Sequence, residues 1–99
     1  EVFAQLVSAY IEQSNQLIAA MPALLEQQQY AELQRHAHSI KSSSLNLGAE
    51  ALASMAQQLE TLSEQAINEP QSGQVQLLRL VELIQQTYTA LKSQLAQYM

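Results

Sequence analysis

The chain has 99 residues, 47 % of them apolar, which is enough for one small core and too apolar for a disordered segment. Gly and Pro occur only twice each, too few for the many turns of a barrel or sandwich, so the composition points to helices. The formal charge of −5 gives a surface that repels phosphate backbones, which argues against nucleic acid as a partner.

The first helical signal is a stripe of Phe3, Leu6, Val7, Tyr10, Ile11, Leu17, Ile18, Met21, Leu24 and Leu25. Pro22 lies about 100° off that stripe, and the phase holds across it. This predicts one long helix over about residues 1–27, kinked at Pro22. A break there, with Pro22 in the first turn of a second helix, is the alternative. Glu26 to Gln29 carries no apolar residue and reads as a turn. A helix over about 30–47 follows, with Leu33, Ala37, Ile40, Ser44 and Leu47 inward. Gly48 is its expected stop, because glycine accepts the left-handed conformation of a helix end. The next helix, about 50–66, buries Leu52, Met55, Ala56, Leu59, Leu62 and Ala66. Asn68 to Gly73 gathers Asn, Pro, Ser and Gly and reads as a linker. The last helix, about 74–98, carries Leu77, Leu80, Val81, Ile84, Tyr88, Leu91, Leu95 and Tyr98 on one face. Four amphipathic helices on short connections predict an all-α fold, an antiparallel four-helix bundle, with residues 1–99 as a single domain.

Absent residue types narrow the chemistry. Without Cys there is no disulfide, thiolate metal site or thiol nucleophile. Without Asp there is no EF-hand loop and no aspartyl phosphate acceptor. Two glycines cannot build a nucleotide-binding loop, so the chain is not expected to use ATP itself. No apolar run approaches the ~20 residues of a membrane span, and no signal peptide is visible. A start without Met and in mid-pattern suggests a domain taken from a longer protein.

One segment, Arg35 to Ala49, holds both histidines and two of the four basic residues. His36 and His38 lie about 160° apart on a helix, so they cannot chelate one metal together, and no metal site is expected. The inward face centres on Ala37 and Ile40. His36 falls near its edge, where a pairing with Glu32 one turn back is expected. His38 falls on the solvent side, with Gln34, Lys41, Ser42 and Leu45 around it. Lys41 is one turn on and can reach past the imidazole, where its charge would stabilise an anion on the ring. Ser42 is small and leaves the ring open to an approaching surface. Ser44 falls on the buried face, where a bond back to a backbone carbonyl is expected. An exposed His with a lysine one turn away and small neighbours suits a group that takes up phosphoryl.

The run His38-Ser39-Ile40-Lys41-Ser42-Ser43-Ser44-Leu45-Asn46-Leu47-Gly48-Ala49, followed by Leu52 and Leu59-Glu60, resembles the histidine phosphotransfer (HPt) domains of bacterial phosphorelays. Their pattern is H-x-x-K-G-S-S-x-x-x-G-A, then L, then often L-E. The resemblance implies that His38 is the phospho-acceptor and that Lys41 neutralises the phosphoryl group. Ser42 stands where the family usually has glycine. Glu60 stands where relatives often carry a Glu or Gln that hydrogen-bonds the imidazole, and Gln57 is a second candidate on that flank. The implied partners are response-regulator receiver domains. One aspartyl phosphate donates to His38, and phospho-His38 donates to another receiver aspartate. Mg²⁺ is expected on the receiver, and no cofactor on this chain. Gln34, Ser42, Leu45 and Gln57 are the expected docking residues, with Leu45 as an apolar patch beside the histidine. The resemblance further implies a monomeric, cytoplasmic phosphoryl carrier rather than an enzyme, without membrane insertion, and suggests the end of a hybrid sensor kinase. Two other readings compete. One is a passive helical interaction module; the other is the dimerising helical hairpin of a kinase, which needs only two helices and a following ATP-binding domain.

Overall fold

A computed structural model describes residues 2–98. It contains four helices: α1 (Val2–Glu26), α2 (Tyr30–Leu47), α3 (Glu50–Asn68) and α4 (Gln74–Leu95), followed by a 3₁₀ turn at Ala96–Tyr98. No strand occurs among the described residues. Connections of a few residues force each helix to run antiparallel to the one before it. The packed pairs are α1–α2, α2–α3, α3–α4 and α4–α1, with α2 and α3 forming the most extensive pair. This is an all-α four-helix bundle, an elongated body of 46 × 20 × 19 Å.

The expected stripes supply the core. Val7 and Met21 of α1, Leu33 and Ile40 of α2, Leu52 and Leu59 of α3, and Leu77 and Ile84 of α4 are almost wholly buried. Polar side chains also bridge the helices. The Tyr10 and Ser44 hydroxyls lie 2.8 Å apart and join α1 to α2. Ser44 therefore bonds across the bundle, not back to a carbonyl of its own helix as expected. Its neighbour Ser43 does that instead, donating to the Ser39 carbonyl at 2.9 Å. Tyr88 donates to the Ile11 carbonyl at 3.1 Å and to Asn15 Oδ1 at 2.7 Å, joining α4 to α1.

α1 passes through Pro22 as one helix, as expected, and the alternative break does not occur. The proline ring is exposed and the apolar stripe on either side stays in phase, so the core holds the helix together across the missing hydrogen bond. α3 runs two residues further than expected, to Asn68, because the linker folds only from Glu69 onward. α4 ends at Leu95 and tightens into the 3₁₀ turn. Glu1 lies outside the described residues.

The stripe also overstates the core at one end. Phe3, Leu6 and Tyr98 are exposed. Tyr10 sits level with Ser44, four residues before Gly48, so Leu6 meets the end of α2 and Phe3 lies beyond it. A helix of 25 residues overhangs one of 18. Phe3 and Tyr98 pack edge-to-face on this overhang, with ring centroids 5.3 Å apart.

Candidate functional site

The α2–α3 reversal positions the site. Gly48 adopts the left-handed conformation, with φ of +87°. Its N–H donates to the Leu45 carbonyl at 3.1 Å, and the Ala49 N–H donates to the Ser44 carbonyl at 2.8 Å. This paired closure ends α2 within one residue. In the resulting hairpin, residues equidistant from Ala49 face each other. His38 and Glu60 are such a pair, and so are Lys41 and Gln57.

His38 Nδ1 lies 2.9 Å from Glu60 Oε2. Lys41 Nζ donates to the other Glu60 oxygen, Oε1, at 2.8 Å, and to Gln57 Oε1 at 2.9 Å. Gln57 in turn donates from its amide nitrogen to Thr61 Oγ1 at 3.3 Å. One chain of hydrogen bonds thus runs Thr61–Gln57–Lys41–Glu60–His38. The His38 side chain is 60 % exposed, while that of Glu60 is only 18 % exposed.

Electrostatics fixes the proton positions. The Lys41 hydrogen bond holds the Glu60 carboxyl below its ordinary range; burial opposes this, and the His38 bond adds to it. Glu60 is therefore a carboxylate and can only accept. The proton in the His38–Glu60 bond must then belong to Nδ1. In the neutral ring this leaves the lone pair on Nε2, the nitrogen that Glu60 does not engage. The site consequently offers an exposed imidazole whose tautomer and orientation are set from α3.

The structure thus brings together His38, Lys41, Glu60 and Gln57. Lys41 does not project past the imidazole, as expected from α2 alone; it turns onto α3, where two acceptors take it. Gln57 engages Lys41 rather than the imidazole. Gln34, Ser42 and Leu45 lie on α2 one turn before, one turn after and two turns after His38. Ser42 is exposed, Leu45 is 57 % exposed, and Gln34 is half-buried. His36 is half-buried at the core edge, and its Nδ1 donates to the Glu32 backbone carbonyl at 2.8 Å. The expected pairing with Glu32 is thus made by its backbone carbonyl, while Arg35 takes its carboxylate. Thr61 was missed. Its signal was its spacing, since 57, 60 and 61 share one face of α3.

Among the described residues no cluster of three or more His or acidic side chains could hold a metal ion. No helix among them is long and apolar enough to cross a membrane. A family model described as Hpt domain matches residues 5–96. Neither the curated proteins nor the solved structures give a significant match.

Proposed function

The chain belongs to the Hpt domain family, whose members act in histidine phosphotransfer with receiver domains in phosphorelays, and we propose that His38 is its phosphoryl carrier. The observation that carries the reading is the His38 Nδ1–Glu60 Oε2 bond of 2.9 Å on an exposed ring. In the neutral ring that bond leaves the lone pair on Nε2, free to attack. In the proposed step Nε2 attacks the phosphorus of a receiver aspartyl phosphate in line. The N–P bond forms as the P–O bond to the aspartyl carboxylate breaks, and that carboxylate leaves with the electron pair. The ring becomes a cation that keeps its Nδ1 proton, and the Glu60 carboxylate stabilises it. Transfer to a second receiver reverses the electron flow and returns the lone pair to Nε2.

Lys41 offsets part of the roughly two negative charges that the phosphoryl group brings. Mg²⁺ belongs to the receiver in this scheme. Gln34, Ser42 and Leu45 surround the nucleophile and form the face on which a receiver docks. The small Ser42 side chain leaves room above the ring, and Leu45 offers apolar area beside it.

The test is incubation with a phosphorylated receiver domain, comparing the native chain with His38→Gln. We expect acid-labile, base-stable phosphate on the native chain and none on the variant. Equal labelling of both would remove His38 from the chemistry. Absence of label from both would leave a helical module that binds without carrying phosphate.

A further inference from the structure

We infer that Gln57 is a positioning residue, holding the Lys41 ammonium at the level where it meets the incoming phosphoryl group. The inference rests on the phosphotransfer reading of His38.

The hairpin geometry shows why Lys41 needs such a partner. In register about Ala49, Lys41 faces Gln57 and His38 faces Glu60. Lys41 nonetheless donates to both α3 residues, at 2.9 Å and 2.8 Å. An ammonium attracted by Glu60 alone would slide toward the carboxylate that His38 also uses. Gln57 opposes that shift with a neutral acceptor, which anchors Lys41 without cancelling its charge. The orientation of Gln57 is itself fixed at both ends. Its oxygen must face the ammonium, which only donates, and its nitrogen finds the Thr61 hydroxyl at 3.3 Å.

The consequence appears when phosphate arrives. Two of the three ammonium protons are committed to α3 in the resting site. A phosphoryl oxygen can take the third, or displace Glu60, without the lysine losing its place, because Gln57 still holds it. The long lysine side chain is then ordered before the transition state instead of during it.

The experiment measures initial rates of label transfer from a phosphorylated receiver domain, across receiver concentrations. It uses the native chain, Gln57→Ala, Lys41→Met and the double variant. Gln57 is exposed, so its replacement leaves the core untouched. We expect Gln57→Ala to slow transfer at saturating receiver by roughly three- to tenfold, with little change in half-saturation. We expect no further slowing when it is added to Lys41→Met, because the residue acts through the lysine. A loss that persists in the Lys41→Met background makes Gln57 a docking contact and overturns the inference. So does a change in half-saturation alone, or a native rate in Gln57→Ala. Absence of label on the native chain overturns the phosphotransfer reading and this role with it. Label on the native chain beside an indifferent Gln57→Ala overturns only the role.

Discussion

Glu60 has two carboxylate oxygens and two donors to serve, Lys41 on Oε1 and His38 on Oε2. A carboxamide carries no charge, and at one of the two positions it presents an N–H in place of an acceptor, so it cannot hold both donors as the carboxylate does. Glu60→Gln should therefore lower stability at neutral pH by up to about 1 kcal/mol, the scale of a partly exposed ion pair. The difference should depend on pH in a defined direction. The Lys41 bond holds the Glu60 carboxyl below its ordinary 4.5 in the folded state. A carboxyl of depressed pKa stabilises the fold above its unfolded value, and that contribution fades as pH falls through the folded one. The gap in Tm between native and Glu60→Gln should be full at pH 6 and close below about pH 4.5. A gap that stays constant down to pH 3 would show that the ion pair adds nothing. The sequence disclosed part of this site. His38 and Lys41 are one turn apart on α2, and the count to Glu60 is legible. The turn of Lys41 onto α3 is not, since it depends on which α3 residues the hairpin brings level with it.

At the scale of elements, two of the turns are built alike from different residues. After α2, Gly48 takes the left-handed position. After α1, Gln28 takes it, with φ of +58°. The closures match: Gln28 N–H to the Leu25 carbonyl at 3.1 Å, and Gln29 N–H to the Leu24 carbonyl at 2.8 Å. A side chain in that conformation costs roughly 1–2 kcal/mol, which glycine avoids at a smaller entropic loss. Gln28→Gly should thus stabilise the chain by about 0.5–1 kcal/mol. In a domain of this size that raises Tm by about 2–8 °C, measurable by thermal denaturation. A lower Tm would mean that the Gln28 side chain has a favourable contact outweighing its strain. The contrast explains which boundaries were legible. Gly48 announces its conformation by its residue type. The turn at Gln27 to Gln29 shows only as a gap in the apolar stripe. Pro22, the residue best known for ending helices, does not end α1, because the apolar stripe keeps its phase across it and neighbours on the opposite face stay packed. The exposed Phe3 and Leu6 do mislead: periodicity reports a face, and only helix lengths report what covers it.

The molecule as a whole closes where α4 meets α1, the pair most distant in sequence, and Tyr88 is the polar tie across that seam. Its ring is buried, and its hydroxyl donates to Ile11 and Asn15. Lys92 donates to the same Asn15 oxygen at 3.3 Å and lies 5.3 Å from the Tyr88 ring centre. Burial pushes the Tyr88 phenol up to about 12, and the neighbouring Tyr10 adds to this. The unfolded phenol titrates near 10, so the neutral form is favoured in the fold. A phenol of raised pKa gives its full contribution below pH 10 and loses it as pH rises toward 12. At pH 7, Tyr88→Phe should lower stability by about 1 kcal/mol, through the lost hydrogen bonds. Above pH 10 the native chain should lose stability faster than the variant, so their denaturation midpoints converge. Parallel decline of the two midpoints from pH 10 to 12 would place the alkaline weakness elsewhere. Convergence would identify the Tyr88 phenol, and with it the α1–α4 seam, as the source of the stability lost in base.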